Sequence, residues 1–304
     1  MSIKFNENNH PYVELGGGFG ICINRAAYEE DKQLRVNDDL PEETAKAVAE
    51  FRRLAESKRN LNLVVDQSNW TVMLYLKCYE NDAKRSFALI DYGYRLLYKE
   101  RGYALPYAQI RHVFEEGLIR YLPECDDDGA VIFIVEMGRR WDPSKISLNE
   151  FIAAIRLSGL ATMLNPDAQK NGCRVIFDVD GLSMSQISHF TPKSSNFLFD
   201  LIENCTPIVT KGMHTVNNGM LYNVLWAILK QFMSKELRQK TYMHGKDWNS
   251  LTKHINPRCL PPRYGGVLEA PDCDGKIMAE FLQHYEGYFV EYNSFGYTDC
   301  PDSK

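Results

Sequence analysis

The sequence lacks the patterns that mark membrane-spanning proteins and the common catalytic classes. Its longest charge-free stretch of note, residues 212–229, contains three asparagines and is too polar to cross a bilayer. Residues 1–10 contain no apolar run of the kind a signal peptide requires, so we expect none. The patterns GxSxG, HExxH and GxxxxGK(S/T) are absent. Serine-hydrolase, zinc-protease and P-loop chemistry therefore have no support.

Paired cysteines are also lacking. None of the eight cysteines forms a CxxC pair, which is the spacing typical of zinc sites and redox motifs. Without a secretory signal we expect free thiols in a reducing, cytoplasmic compartment. They are Cys22, Cys78, Cys125, Cys173, Cys205, Cys259, Cys273 and Cys300.

Charge is unevenly distributed along the chain. The formal charge is −5, which argues against a general nucleic-acid binder. Residues 205–265 hold nine basic and two acidic residues, a charge of +7, and leave −12 for the remainder. The asymmetry indicates a face that meets an anionic surface. The alternative is an ordinary solvated face.

The pattern of residues predicts four regions. Residues 1–40, with their glycine cluster, are interpreted as a flexible arm, and residues 41–120 as an all-helical domain because apolar residues recur there at helical spacing. An α/β domain follows over 121–268. The aromatic-rich tail at 269–304 either packs on the N-terminal domain or binds a partner.

Strands and helices alternate in the third region. This order predicts an α/β fold, a mainly parallel sheet flanked by helices, joined to the all-helical N-terminal domain. The predicted strands are 131–135, 174–179, 208–214 and 240–243, and the predicted helices are 148–164, 191–204, 220–233 and 247–257.

A few polar residues could carry chemistry. Asp178 and Asp180 could bind a metal at the end of a strand, although acids there more often cap a turn. Residues 126–129 resemble the start of a calcium loop but lack its later glutamate, so we interpret them as a turn. His214 and His244 have no evident triad partner and are interpreted as structural. We therefore assign no catalytic residue, metal site or cofactor.

A series of motifs resembles one family. They are GRRWDP at 138–143, NG at 171–172, FDVDG at 177–181, PIVTKGMHTVN at 207–217, MHG at 243–245 and LPPRYGG at 260–266. In this order they resemble the CRAL-TRIO (Sec14-like) lipid-binding family, in particular its tocopherol-transfer, retinaldehyde-binding and clavesin branch. The resemblance covers about residues 45–270.

The resemblance implies a hydrophobic pocket between sheet and helices, closed by a gate helix. Residues 220–229 fit such a gate because they are apolar on nearly all sides. We expect the pocket wall to contain Phe133, Phe151, Ile155, Phe177, Val179, Leu182, Ile187, Phe190, Ile208, Met213, Leu221, Val224, Leu225 and Ile228, with Ser158 and Ser183 as hydroxyl partners.

The resemblance also implies a basic cleft for phosphoinositide head groups. Lys211 and Lys240 match two of its cations, whereas Val209 and Glu236 replace two others. Lys235 and Arg238 are near neighbours in sequence, so we expect these four basic residues to attract anionic membranes with only a modest phosphoinositide preference.

The predicted function is therefore binding and transfer of a small hydrophobic ligand, such as a tocopherol, retinoid or carotenoid. The protein would be cytoplasmic and peripheral on membranes, without enzymatic activity. The alternatives are a phosphoinositide-binding adaptor or exchange protein in trafficking and a metal-dependent enzyme that uses Asp178 and Asp180.

Overall fold

A computed structural model describes residues 1–23, 40–58, 61–62 and 69–299. Within these ranges no helix is both long and apolar enough to cross a membrane. The described cysteines are free, and Cys300 lies outside the described residues.

A five-stranded sheet forms the centre of the fold. Its strands are β5 (Ile119–Tyr121), β6 (Val131–Glu136), β7 (Cys173–Asp178), β8 (Thr210–Val216) and β9 (Thr241–Gly245). Their order in the sheet is β5-β6-β7-β8-β9, with β6 to β9 parallel and β5 antiparallel to β6. The predicted α/β fold with a mainly parallel sheet is confirmed.

Helices surround the sheet and form the N-terminal and C-terminal regions. Those in the described residues are α1 (Glu42–Glu56), α2 (Asn69–Cys78), α3 (Ala83–Lys99), α4 (Tyr107–Glu115), α5 (Met137–Arg140), α6 (Leu148–Met163), α7 (Pro166–Asn171), α8 (Met184–Ser188), α9 (Pro192–Asn204), α10 (Met220–Leu229), α11 (Lys235–Gln239), α12 (Trp248–Thr252), α13 (Gly275–Gln283) and α14 (Glu286–Ser294).

Alternation along the strands gives the sheet two different faces. Ile132, Ile134 and Ile176 are fully buried on one face, where they pack with Leu251 of α12 and with Tyr264. The intervening side chains of β6 and β7 project to the opposite face, towards α6 and α9. The first face is a sealed core, and the second can hold a cavity.

The interpretation of residues 1–40 as a flexible arm is wrong for the first 23 residues. β1 (Ser2–Phe5), β2 (Pro11–Gly16) and β3 (Phe19–Cys22) form an antiparallel sheet. Gly17 and Gly18 have positive φ angles, as a two-residue hairpin turn requires. Alternating apolar residues of β2 and β3 are buried, so the order comes from a packed face. Residues 24–39 lie outside the described part.

The boundary at residue 120 divides a strand of the central sheet. β5 pairs with β6, and its Arg120 is buried against Glu136 at 3.1 Å. The helix expected at 220–233 ends at Leu229, and the one expected at 247–257 is only the short α12.

The aromatic tail packs on the N-terminal helices. The hydroxyl groups of Tyr75 in α2 and Tyr292 in α14 form a buried hydrogen bond of 2.8 Å. Tyr107 of α4 donates a hydrogen bond to the carbonyl oxygen of Ala279 in α13. β10 (Gly296–Tyr297) pairs with β4 (Leu61–Asn62). The tail is thus part of the core, in agreement with the first of its two expected roles.

The N-terminal sheet should contribute to stability. Leu15 is 4% exposed, so we expect Leu15→Ala to lower the free energy of unfolding by about 2–4 kcal/mol, measured by urea denaturation. The adjacent Glu14→Gln is the control because Glu14 is half exposed and makes only a surface ion pair with Lys4. Equal stability of the two variants would restore the flexible-arm interpretation.

Candidate functional site

A cavity lies on the α6 side of the sheet, beneath α10. Tyr222, Leu225, Trp226 and Leu229 of α10 line it. We call it the α10 chamber; its free space is about 670 Å³ including the part open to solvent.

A second cavity adjoins the first. It lies between β6, β7, α6 and α9, and Arg156 contributes to its wall, so we call it the Arg156 chamber. Its free space is about 650 Å³, again including the open part. Ile155, Phe177, Ile202 and Met213 line both chambers and separate them only by side chains.

The helix α6 positions much of this wall. A capping box fixes its first turn, in which the Ser147 hydroxyl accepts from the Glu150 backbone N–H at 3.3 Å and the Glu150 carboxylate accepts from the Ser147 N–H at 2.8 Å. The helix is buried on nearly all sides, as expected for a helix between a sheet and other helices. Its side chains therefore lie in a fixed position relative to the sheet.

Most polar groups in the α10 chamber wall are hydrogen-bonded to protein. The hydroxyls of Thr215 on β8 and Tyr222 on α10 are 2.9 Å apart and buried. Thr241 donates to the carbonyl oxygen of Leu237 at 2.8 Å. Because these groups are satisfied, the α10 chamber offers an essentially apolar surface.

The structure brings together only part of the predicted wall. The residues that line one or both chambers are Phe133, Phe151, Ile155, Phe177, Val179, Phe190, Ile208, Met213 and Leu225. The predicted residues that line neither chamber are Ser158, Leu182, Ser183, Ile187, Leu221, Val224 and Ile228. Contact of the first group with a ligand remains a prediction.

The excluded residues have other roles. Ser158 donates within α6 to the Ala154 carbonyl oxygen at 2.9 Å, and Ser183 caps α8. Leu182 and Ile187 pack in the core. Leu221 and Val224, together with Met220, place apolar side chains on the exposed side of α10. Ile228 is half-buried beside them.

Several lining residues were not anticipated. Leu198, Phe199 and Ile202 of α9 line the α10 chamber. The apolar spacing of Leu198 and Ile202 at i and i+4 was a usable signal for one helix face. Nothing in the sequence marked Arg156 because a single arginine in an apolar helix has no pattern of its own.

The expected basic cleft carries no net positive charge, since its described lining residues include two acids and one base. Tyr79, Glu203, Val209, Glu236 and Lys240 line it, and Lys240 is the only one of the four proposed cations among its described lining residues. Glu236 accepts from Lys240 at 2.6 Å, and this contact lowers the pKa of the Glu236 carboxyl group. Lys211, Lys235 and Arg238 are exposed elsewhere.

The two aspartates of the DxD motif are engaged in structural contacts. Asp178 accepts from Asn217 at 2.9 Å, from the Asp180 N–H at 3.0 Å and from the Tyr264 hydroxyl at 2.8 Å. Asp180 pairs with Arg139 at 2.6 Å. These contacts agree with the turn interpretation. Likewise, Asp126 accepts from the Ala130 N–H at 2.7 Å and closes a turn.

The histidines form a cluster of their own on the sealed side. His214 Nδ1 lies 3.1 Å from His244 Nε2, and His244 Nδ1 lies 2.9 Å from the Ser250 hydroxyl oxygen. Burial lowers the pKa of His214 to about 3 and that of His244 to about 4. Both are therefore neutral at pH 7, where they link β8, β9 and α12.

Fold and site together define an α/β protein with an apolar cavity between its sheet and a half-exposed helix. The CRAL/TRIO domain model matches residues 115–266. The chain belongs to this lipid-binding and lipid-transfer family.

Relatives agree with this assignment. The chain is 25% identical to human alpha-tocopherol transfer protein-like over 268 residues, which cover 87% of this chain and 77% of that protein. It is 28% identical to human clavesin-2 over 189 residues, 62% of this chain and 57% of that protein. The crystal structure of Sfh5 matches with a TM-score of 0.50 and 11% identity, covering 82% of this chain and all of that one, which shows a shared fold.

Phe177 is the sharpest test of the cavity wall because it lines both chambers. A residue that only packs in the core should lose about 3–5 kcal/mol of stability when changed to alanine, with or without ligand. We expect Phe177→Ala to weaken binding of an apolar fluorescent probe by more than it lowers apo stability. Ile176→Ala, on the sealed face, should lower stability and leave affinity unchanged. Unchanged affinity in Phe177→Ala would remove Phe177 from the wall.

Proposed function

We propose that the protein binds one small hydrophobic molecule, such as a tocopherol, retinoid or carotenoid, and transfers it between membranes. The supporting observation is the apolar chamber beneath α10 together with the Arg156 chamber that adjoins it. A ligand that loses ~500 Å² of apolar contact with water gains on the order of 10 kcal/mol before entropy losses. Burial alone is thus sufficient for binding, and no catalytic step is needed.

The choice of an isoprenoid rests on the relatives and on the wall. One relative is named for tocopherol transfer. In the α10 chamber, Thr215 and Tyr222 bond to each other and leave mainly aromatic and aliphatic surface for the ligand. Such a surface suits a branched hydrocarbon chain better than a strongly hydrated molecule.

We also propose that α10 docks on the cytoplasmic side of an anionic membrane. Met220 is 88% exposed and Val224 47%, although both are large apolar side chains in a helix that covers the cavity. Apolar exposure of this kind marks an interaction surface. Lys211, Lys235 and Arg238 are exposed cations of the same chain segment and would add electrostatic attraction.

The ligand proposal can be tested on the purified protein. Native mass spectrometry should show one bound lipid mass per chain, and extraction should release it. An absorption band beyond the aromatic region would identify a retinoid or carotenoid, and its absence together with a bound mass would favour a tocopherol. Protein that carries no lipid and does not bind added α-tocopherol would contradict the proposal and favour the adaptor alternative.

The docking proposal predicts a salt-dependent affinity for vesicles. Changing Lys211, Lys235, Arg238 and Lys240 to Gln should weaken the free energy of binding to phosphatidylserine vesicles by up to about 3 kcal/mol, since each free cation adds about 1 kcal/mol at most. Sedimentation with the vesicles measures this binding. Lys240 should contribute least because it pairs with Glu236. Added salt should weaken wild-type binding similarly and affect the variant little.

Two further variants make this experiment specific. Val224→Asp should reduce binding even at high salt because it places a charge on the exposed side of α10. Lys253→Gln removes one exposed cation beside the sealed face and should have no effect. Sedimentation that is indifferent to salt, to the four Gln substitutions and to Val224→Asp would show that this surface is only solvated.

A further inference from the structure

A buried guanidinium lies in the wall of the cavity. Arg156 belongs to α6 and is 7% exposed. Its Nη1 donates to Asn293 Oδ1 of α14 at 2.7 Å. The side chain lines the Arg156 chamber on one side and a smaller cavity beside Tyr75 and Tyr292 on the other.

The described part of the chain supplies no negative charge to this arginine. Its one hydrogen-bond partner is an amide, and no carboxylate of the described residues forms an ion pair with it. The ionisable groups that surround it are the phenols of Tyr75, Tyr94 and Tyr292 and the thiol of Cys205. Burial raises the pKa of Tyr75, and it raises that of Cys205 to about 12, so both are neutral at pH 7.

An isolated buried charge is unfavourable, and an arginine side chain does not become neutral by losing its proton. Burial lowers the pKa of Arg156, but a guanidinium stays protonated under physiological conditions. Buried cations in proteins are accordingly paired or extensively hydrogen-bonded. One hydrogen bond to the Asn293 side-chain amide and the nearby phenols stabilise the Arg156 charge only in part. An anion bound beside the guanidinium would complete this stabilisation.

The position of Arg156 fixes the kind of molecule that would supply this anion. Ile155, Phe177 and Met213 line both the Arg156 chamber and the α10 chamber and separate them, so one elongated molecule would occupy both once these side chains turn aside. Its body would meet apolar side chains and one end would meet the guanidinium. A carboxylate suits that end because it matches the planar fork of arginine and balances its single charge. A phosphate dianion would leave excess negative charge buried.

We propose that, among hydrophobic molecules of this class, the cavity prefers those that end in a carboxylic acid, such as an acidic retinoid or a long-chain fatty acid, whose carboxylate pairs with Arg156 while the tail extends beneath α10. This rests on the proposed function, since it assigns a head group to the ligand of the same cavity. It makes Arg156 the residue that determines specificity between acids and neutral lipids.

The test compares two probes with the same tail. cis-Parinaric acid and its methyl ester differ only in the charge of the head group, and both fluoresce when bound in an apolar site. Wild-type protein should bind the acid at least about ten-fold more tightly, as expected for a hydrogen-bonded charge pair. The comparison uses the unmodified protein and does not depend on the folding of any variant.

Two variants separate head-group recognition from a structural role of Arg156. Arg156→Met keeps an unbranched side chain that fills much of the same space and removes the charge; it should bind acid and ester equally, with ester affinity preserved. Asn293→Ala removes the contact between α6 and α14 but leaves the guanidinium, so it should retain the preference for the acid. Circular dichroism confirms that each variant is folded.

Each result has a definite meaning. Equal wild-type affinity for acid and ester would overturn the head-group proposal and leave the proposed lipid-binding function standing. The same holds if α-tocopherol binds but neither probe does. Failure of both probes and of α-tocopherol would contradict the two proposals together. An acid preference that survives Arg156→Met would show that another group recognises the carboxylate.

Discussion

The fold depends on the two-sided central sheet, in which neighbouring residues of one strand serve opposite purposes. Ile132, Ile134 and Ile176 close one face against α12 and the turns around Tyr264. Their neighbours Phe133 and Phe177 border a cavity on the other face. Because side chains alternate, the sealed face can provide stability while the other face is left incompletely packed. A cavity of this size would otherwise weaken the core that surrounds it.

Polar side chains beside an apolar cavity need hydrogen-bond partners within the protein. Thr215 and Tyr222 bond to each other, and Thr162 donates to the Ser158 carbonyl oxygen at 2.7 Å. Unpaired hydroxyls would bind water in the cavity and compete with an apolar ligand. Arg156 departs from this rule, since its charge has no counter-charge within the described chain. A buried charge without a counter-charge, in a wall whose hydroxyl groups are hydrogen-bonded to protein, is the physical reason to look for a functional role at Arg156.

The sheet and the helices that cross over it were predictable from the sequence, because buried parallel strands are short apolar runs and their helices have clear caps. The N-terminal sheet was not, since Tyr12, Val13, Glu14 and Leu15 alternate as a strand should but the neighbouring glycines favour flexibility. The cavity was only partly predictable. Whether a residue such as Phe151 or Ile187 meets the cavity or the core depends on the rotation of its helix, which the apolar pattern does not fix.

The charge of residues 205–265 shows the same limit. Two of its cations are paired with acids outside the segment: Arg258 with Asp127 at 3.2 Å and Arg263 with Asp272. Lys240 is paired locally with Glu236. A +7 segment is therefore not a +7 surface, and the cleft that holds Lys240 is lined by two acids and one base. The proposed attraction to a membrane would then depend as much on the exposed apolar side of α10 as on basic residues. Arg156 differs from these surface cations because it is buried and no acid of the described residues pairs with it. A carboxylate on the proposed ligand would therefore be recognised inside the cavity and not at the surface.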